Sequence, residues 1–460
     1  MMSAPARFAR LLMLALVLSL ALVRPASAAD GGILRDTETE ALFRDMAKPL
    51  IEAAGLDPKS AKVVLLGDPS INAFVSQGQV VYLQSGLILA ADDVGQVQGV
   101  VAHELGHVVG GHSIRIQDGA KEATGMTIAT MVLGAIAIAL GAGEAGMGIM
   151  AAGQQAAIGK FLAFTRTQES SADQAAVSYL SKAGVSGKGM LAFFAKLQNY
   201  EYRLAIYAKD SYDRTHPLSS ERIAALQQAF EADPAWNTPV DPALEARFER
   251  VKAKLYGFSD PKQAVFKYPE SNKGIPAHYA RAYAYHVGGY ADKALEETEA
   301  LLAAAPDDPY FLELKGQILL ESGKPAEAIE PLRAAVKASG DAPLIAGMLG
   351  HALVATEDRN NFAEAKVVLK SAVNRDNQDP FAWYQLGIVY DREGDSARAQ
   401  LATAERSNLE NKPKLALASA EMAMRGIPPN TPDWLRAQDI AMVSKAEISK
   451  RKKDGKDEDE

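Results

Sequence analysis

His103-Glu104-Leu105-Gly106-His107 is the stretch of this chain whose residue types and spacing speak most directly of chemistry. Residues four apart share a helix face, so His103 and His107 can grip one metal ion together. Glu104 sits beside them, placed to act as general base toward a metal-polarised water. The flanks support a helix: Val94, Val97, Val100, Val101, Leu105 and Val108 give it an apolar side, and no proline interrupts residues 92–112. The competing reading of so short a pattern is a buried helix with two hydrogen-bonded histidines.

A hydrolytic zinc site needs a third protein ligand and a fourth position left open. His112 is one candidate, but the metzincin spacing puts its third histidine where Ser113 stands. His112 is one residue early and is read as a supporting or structural group. The other candidate lies in Arg166-Thr167-Gln168-Glu169-Ser170-Ser171-Ala172-Asp173, on a stretch patterned as helix through Leu180. Of Glu169 and Asp173, one carboxylate can ligate zinc while the other accepts the free N–H of a ligand histidine and fixes its tautomer. An ordinary solvated acidic face is the alternative.

Together with Thr215-His216-Pro217 and Glu221-Arg222, these motifs resemble the HtpX-like gluzincin peptidases, in particular the periplasmic members with a tetratricopeptide tail. The likeness covers roughly residues 33–230 by motif and the rest by architecture. It implies one zinc ion per chain held by His103, His107 and Glu169, with Glu104 as general base and Asp173 as partner of a ligand histidine. It places His216 near the metal, either stabilising an oxyanion or acting as an extra, inhibitory ligand, and matches Arg222 to the basic residue after the His-Pro pair. Glu104, His216 and Arg222 are accordingly assigned to catalysis, although His216 also reads as a turn residue before proline. Ser171 departs from the tail-bearing members, which have a second Glu there. Asp68–Phe74, a Gly78 turn and Val80–Leu83 resemble the strand these peptidases run along the cleft, where an extended substrate is expected to pair as at a sheet edge. The resemblance further implies unfolded or misassembled outer-membrane proteins as substrates and the outer-membrane assembly machinery as docking partner. The alternative is a chaperone-like adaptor whose peptidase is self-inhibited until a partner binds.

Arg7 and Arg10 precede an uncharged run from Leu11 to Val23, and Ala26-Ser27-Ala28 supplies small residues for cleavage. Residues 1–28 are therefore read as a secretory signal peptide and the periplasm as destination. The sequence holds no cysteine, which excludes disulfides, thiolate zinc ligands and a cysteine nucleophile. A formal net charge of -8 gives no reason to expect nucleic acid as a partner.

At 460 residues, two domains are expected. The overall class is mainly α: an α+β zincin-like metallopeptidase domain with a small sheet over 29–235, then an all-α tetratricopeptide-repeat solenoid over 276–444. A linker and bridging helix fill 236–275, and residues 445–460 read as a charged disordered tail. The repeat is visible as a 34-residue interval between Gly289 and Gly323, Ala294 and Ala328, Pro309 and Pro343, and Gly316 and Gly350. The next interval, Gly350 to Gly387, is 37 residues, with the extra ones near 358–361. About four units fit between Pro276 and Asn411.

Residues 123–143 form a run of 21 without a charge, long enough to cross a bilayer. A single crossing would part the histidines from Glu169, and a return through 145–159 is short and carries Gln154 and Gln155. The expectation is an apolar hairpin or glycine-rich lid over the cleft, with peripheral membrane contact through 123–159 as the other reading. If it is a lid, shortening 141–153 changes casein cleavage.

Overall fold

The computed structural model describes residues 32–76, 78–139, 142–204 and 216–453. The expected signal peptide and the last seven residues, 454–460, lie outside the described residues. Two compact units emerge: Gly32–Leu34 with Phe43–Leu244, and Arg35–Leu42 with Glu245 onward. The first helix, α1 (Thr37–Ala53), is thus shared, its first turns belonging with the second unit. The division lies near residue 244, within the 236–275 stretch that the sequence reading gives to a linker and bridging helix.

In the first unit, β1 (Lys62–Leu66), β2 (Ala73–Val75) and β3 (Val80–Gln84) form a sheet in the order β1-β3-β2. β3 runs parallel to β1 and antiparallel to β2, with Val81 opposite both Val63 and Val75. The strand over Val80–Leu83 is therefore central, and the expectation that it offers a free edge is corrected. Both its sides are already hydrogen-bonded. β1 is extended further by a bridge from Ile33 to Leu66, so β2 is the strand with one neighbour among the described residues.

α2 (Ser85–Ala90) leads into α3 (Val94–Gly110), which is buried from Val94 through His107. A helix with valine and glycine on nearly every side is stable only when other elements surround it. Asp93 caps it by accepting from the Gln96 N–H, and Gly111, at φ 62°, ends it in the left-handed conformation that glycine adopts without strain. α4 (His112–Ala139) and α5 (Gly143–Ala183) form a long hairpin, followed by α6 (Lys188–Leu204) and α7 (Ser220–Glu231). A 3-10 turn at Pro234–Asn237 closes the unit, its Trp236 carbonyl accepting from the Ser186 hydroxyl.

The second unit is all helix. α8 (Pro242–Ser259) and α9 (Pro261–Lys267) precede four helix pairs. These are α10 (Ile275–Val287) with α11 (Ala291–Ala304), and α12 (Pro309–Glu321) with α13 (Pro325–Ala338). Then come α14 (Pro343–Ala355) with α15 (Arg359–Arg375), and α16 (Pro380–Arg392) with α17 (Ser396–Leu409). The 34-residue period has a packing cause. A Cβ at Gly316 would strike Leu332, and one at Gly350 would strike Leu369, so the two middle pairs close where a glycine admits its partner's leucine. The longer third interval is absorbed by α15, which has 17 residues where α11, α13 and α17 have 14. α18 (Pro413–Gly426) and α19 (Pro432–Lys453) complete the unit. α19 continues through Lys445–Lys453, so the tail expected to be disordered from 445 is helical that far. Basic residues in its last turn favour the negative end of the helix dipole.

Candidate active site

The burial of α3 carries His103, Glu104 and His107 into the interior, where all three are at most 5% exposed. Glu169 and Asp173 stand on α5, which crosses α3 closely because Gly106 has no side chain. A Cβ there would lie 2.8 Å from the Ala172 carbonyl oxygen. The motif glycine thus sets the distance between the histidine helix and the carboxylate helix. His216 comes from the segment before α7, and Arg222 from the first turn of α7, whose N-cap is Ser219.

Four donor atoms converge. His103 Nε2 lies 3.1 Å from His107 Nε2 and 3.4 Å from His216 Nδ1. The Glu169 carboxylate lies 3.4 Å from each Nε2 and 3.2 Å from His216 Nδ1. A tetrahedral zinc ion with bonds of about 2.0–2.1 Å sets its donors about 3.3–3.4 Å apart. Nitrogen and carboxylate donors at this spacing, all within 4.8 Å of one another, fit zinc.

The outer contacts fix which nitrogen faces inward. His103 Nδ1 lies 3.0 Å from Asp173 Oδ1, so its N–H points outward and Nε2 keeps its lone pair for the cluster. His107 Nδ1 meets His112 Nδ1 at 2.8 Å. His112 therefore backs a ligand histidine instead of joining the donor set. The edge of Phe194, on α6, packs on the His103 ring with centroids 5.8 Å apart. Sequence reasoning had no handle on Phe194, because an aromatic in an amphipathic helix looks like any core residue.

Arg222 is committed to the site's anionic side. It donates to Asp173 through Nε at 2.7 Å and Nη2 at 2.8 Å, to the Pro217 carbonyl at 2.6 Å, and pairs with Glu169 at 3.1 Å. A guanidinium so engaged positions the two carboxylates. Ser171 is exposed and faces away from the cluster, so the departure there leaves the donor set untouched.

Electrostatics follow the same geometry. Burial disfavours charge on His103, yet the hydrogen bonds and charges of Asp173 and Glu169 hold its pKa up at about 10. Burial, reinforced by His103 and His216, drives His107 strongly down. Burial would raise the Glu169 carboxyl, but His216 and His103 hold it far below the usual range. Asp173 is held down against burial by Arg222 and His103. The carboxylates are thus anionic and His107 is neutral, as metal ligation requires, while the proton that Asp173 and Glu169 hold on His103 must leave when a metal binds.

Residues 35–229 match the profile of Peptidase family M48. Among curated proteins, the β-barrel assembly-enhancing protease of Yersinia pestis is 27% identical over 359 residues, covering 76% of this chain and 71% of the relative. The protein of that name from Escherichia coli (strain K12) is 27% identical over 280 residues, covering 58% and 55%. The chain spans about half the length of several curated relatives it matches. Among solved structures, YrrB, a TPR protein with an unusual peptide-binding site, is 19% identical with a TM-score of 0.31, covering 38% of this chain and 91% of YrrB.

Proposed function

With a metallopeptidase domain of Peptidase family M48 in residues 35–229, we propose that this chain is a zinc-dependent endopeptidase acting on unfolded or misassembled proteins of the bacterial envelope. The observation that carries the reading is the convergence of His103, His107, Glu169 and His216, whose donor atoms all lie within 4.8 Å of one another, beside the buried Glu104. When bound, zinc supplies Lewis-acid polarisation of the scissile carbonyl and of the attacking water. Glu104 takes the proton of that water and delivers it to the leaving amine. Asp173 and His112 hold the ligand histidines in their working tautomers, and Arg222 holds Asp173. The free side of β2, which packs near α3, offers backbone groups to an extended substrate, which favours unfolded segments over folded ones.

His216 gives a second reading its support. Hydrolytic zinc sites keep one position open, and Nδ1 of His216, 3.4 Å from His103 Nε2 and 3.2 Å from the Glu169 carboxylate, would be placed to fill it. The peptidase is then self-inhibited until His216 leaves, and the chain serves as an assembly adaptor until a partner displaces it. The names of the relatives support a role in outer-membrane protein assembly, with the helix pairs of the second unit as the docking platform. The Arg7–Ala28 segment supports export to the periplasm.

The test combines zinc content with casein cleavage for the wild type, Glu104→Gln and His216→Ala. One zinc per chain, loss of cleavage in Glu104→Gln and a gain in His216→Ala are expected. Zinc bound with no cleavage by any of the three moves the function to the adaptor, and no zinc overturns the peptidase reading.

A further inference from the structure

The α4–α5 hairpin is packed inside out. Its seam is made of small residues: Gly146, Gly153 and Ala157 are buried on α5, and Gly134 and Thr130 face them from α4. A Cβ at Gly134 would meet the Gly146 carbonyl and Met150. The large apolar side chains point outward instead. On α4, Ile128, Val132, Leu133 and Ile136 are each more than half exposed. In water, a helix pair buries its large apolar residues in the seam and turns polar ones out. Small seams with large apolar exteriors belong to helices solvated by lipid.

Two further observations point the same way. Ala120–Ile138 is long and apolar enough to cross a membrane, yet only 6% of that window is buried. The charges gather where the hairpin leaves the unit: Arg115, Lys121, Lys160 and Arg166, with Glu122 paired to Lys160 at 3.0 Å and Asp118 nearby in sequence. The excess is basic and complements anionic headgroups. Glu144, Gln154 and Gln155 all lie on α5, which leaves α4 as the lipophilic arm.

We propose that the hairpin docks on a lipid bilayer, sinking the exposed face of α4 into the apolar layer while its basic base meets phosphate headgroups. Floating the full chain with vesicles of phosphatidylethanolamine and phosphatidylglycerol through a density gradient tests this. The wild type rises with the vesicles, and Val132→Glu with Ile136→Glu lowers the bound fraction by more than about tenfold. Both positions are solvent-facing, and an unchanged circular dichroism spectrum verifies that the variant folds. Independently, the new indole of Leu133→Trp is quenched by lipids brominated along the acyl chain. A wild type that stays with the soluble fraction, or an indole that brominated lipid leaves unquenched, overturns the proposal. A non-floating dimer, detected by light scattering and dissolved by the same two glutamates, overturns it in favour of a second copy of this chain.

Discussion

His216 stands between the donor set and the general base: its Nδ1 is 3.2 Å from the Glu169 carboxylate and its Nε2 is 3.5 Å from Glu104 Oε1. One imidazole thereby joins the donor cluster, where it would occupy a metal's fourth position, and faces the carboxylate that would receive the proton from water. Removing it opens both. His216→Ala is expected to raise casein cleavage at least about tenfold, since activity scales with the fraction of molecules whose fourth position is free. Cleavage kinetics on zinc-loaded protein check this, and an unchanged or lower rate would assign His216 to catalysis instead.

Glu104→Gln keeps the shape of the site and removes the base. Cleavage is expected to fall by about 10²–10⁴-fold, the usual contribution of a positioned base, while zinc content stays at one per chain. Loss of zinc in this variant would show that Glu104 holds the site together rather than moving a proton.

Asp173 and Arg222 act through their neighbours. Without the Asp173 carboxylate, 3.0 Å from His103 Nδ1, the ligand histidine loses the acceptor that orients it. Asp173→Ala is expected to weaken zinc binding by about 10–100-fold in competition with a chelator. Arg222→Lys is expected to lose affinity as well, because an ammonium cannot reproduce the two-pronged contact with Asp173. Wild-type affinity in Arg222→Lys would mean that charge alone suffices.

The parts of the site that could be read in the sequence are those set by short-range spacing. His103 and His107 share a helix face because they are four apart, and Glu169 and Asp173 do so for the same reason. The repeats were legible because a glycine that admits a leucine must recur wherever the packing recurs, as at Gly316 and Gly350. Pairing partners were not legible. Nothing local in Val80–Leu83 says that it will be flanked on both sides, and only the register with β1 and β2 decides that. The inverted seam of the hairpin was hidden too, since an uncharged run does not reveal which residues face inward. Equally hidden was the joining of Asp36 and Glu38 to Lys254, more than 200 residues away.

That joining makes a stability prediction. Lys254, 5% exposed, places its ammonium 2.8 Å from Asp36 and 2.9 Å from Glu38, and Tyr279 donates to the same Glu38 at 2.8 Å. Burial opposes the charge on Lys254, but the two carboxylates hold its pKa well up. Lys254→Met would leave the buried Glu38 and the half-buried Asp36 without their shared cation. Breaking such a pair from one side costs about 3–5 kcal/mol, so a clear drop in the unfolding midpoint of the second unit is expected in denaturant titration. An unchanged midpoint would show that Arg250, 2.8 Å from Glu38, carries the compensation alone.

Glu313, near the same cluster, supplies a pH dependence of definite sign. Burial, with Asp36 and Glu38 adding to it against Lys254, pushes its carboxyl up to about 8. The unfolded chain releases this proton near pH 4.3, so between there and about pH 8 the folded protein binds one proton more than the unfolded one. Stability from this group is full below the window and falls as pH rises through it. Asp36, whose carboxyl is held down by Lys254 against burial, acts in the opposite direction and only at lower pH, so the two do not overlap. Glu313→Gln keeps a neutral side chain at every pH. The melting temperature of the wild type is therefore expected to decline relative to Glu313→Gln from pH 5 to pH 8 and to run parallel above it. Parallel curves across the whole range would mean that Glu313 ionises at its ordinary pH and reaches water.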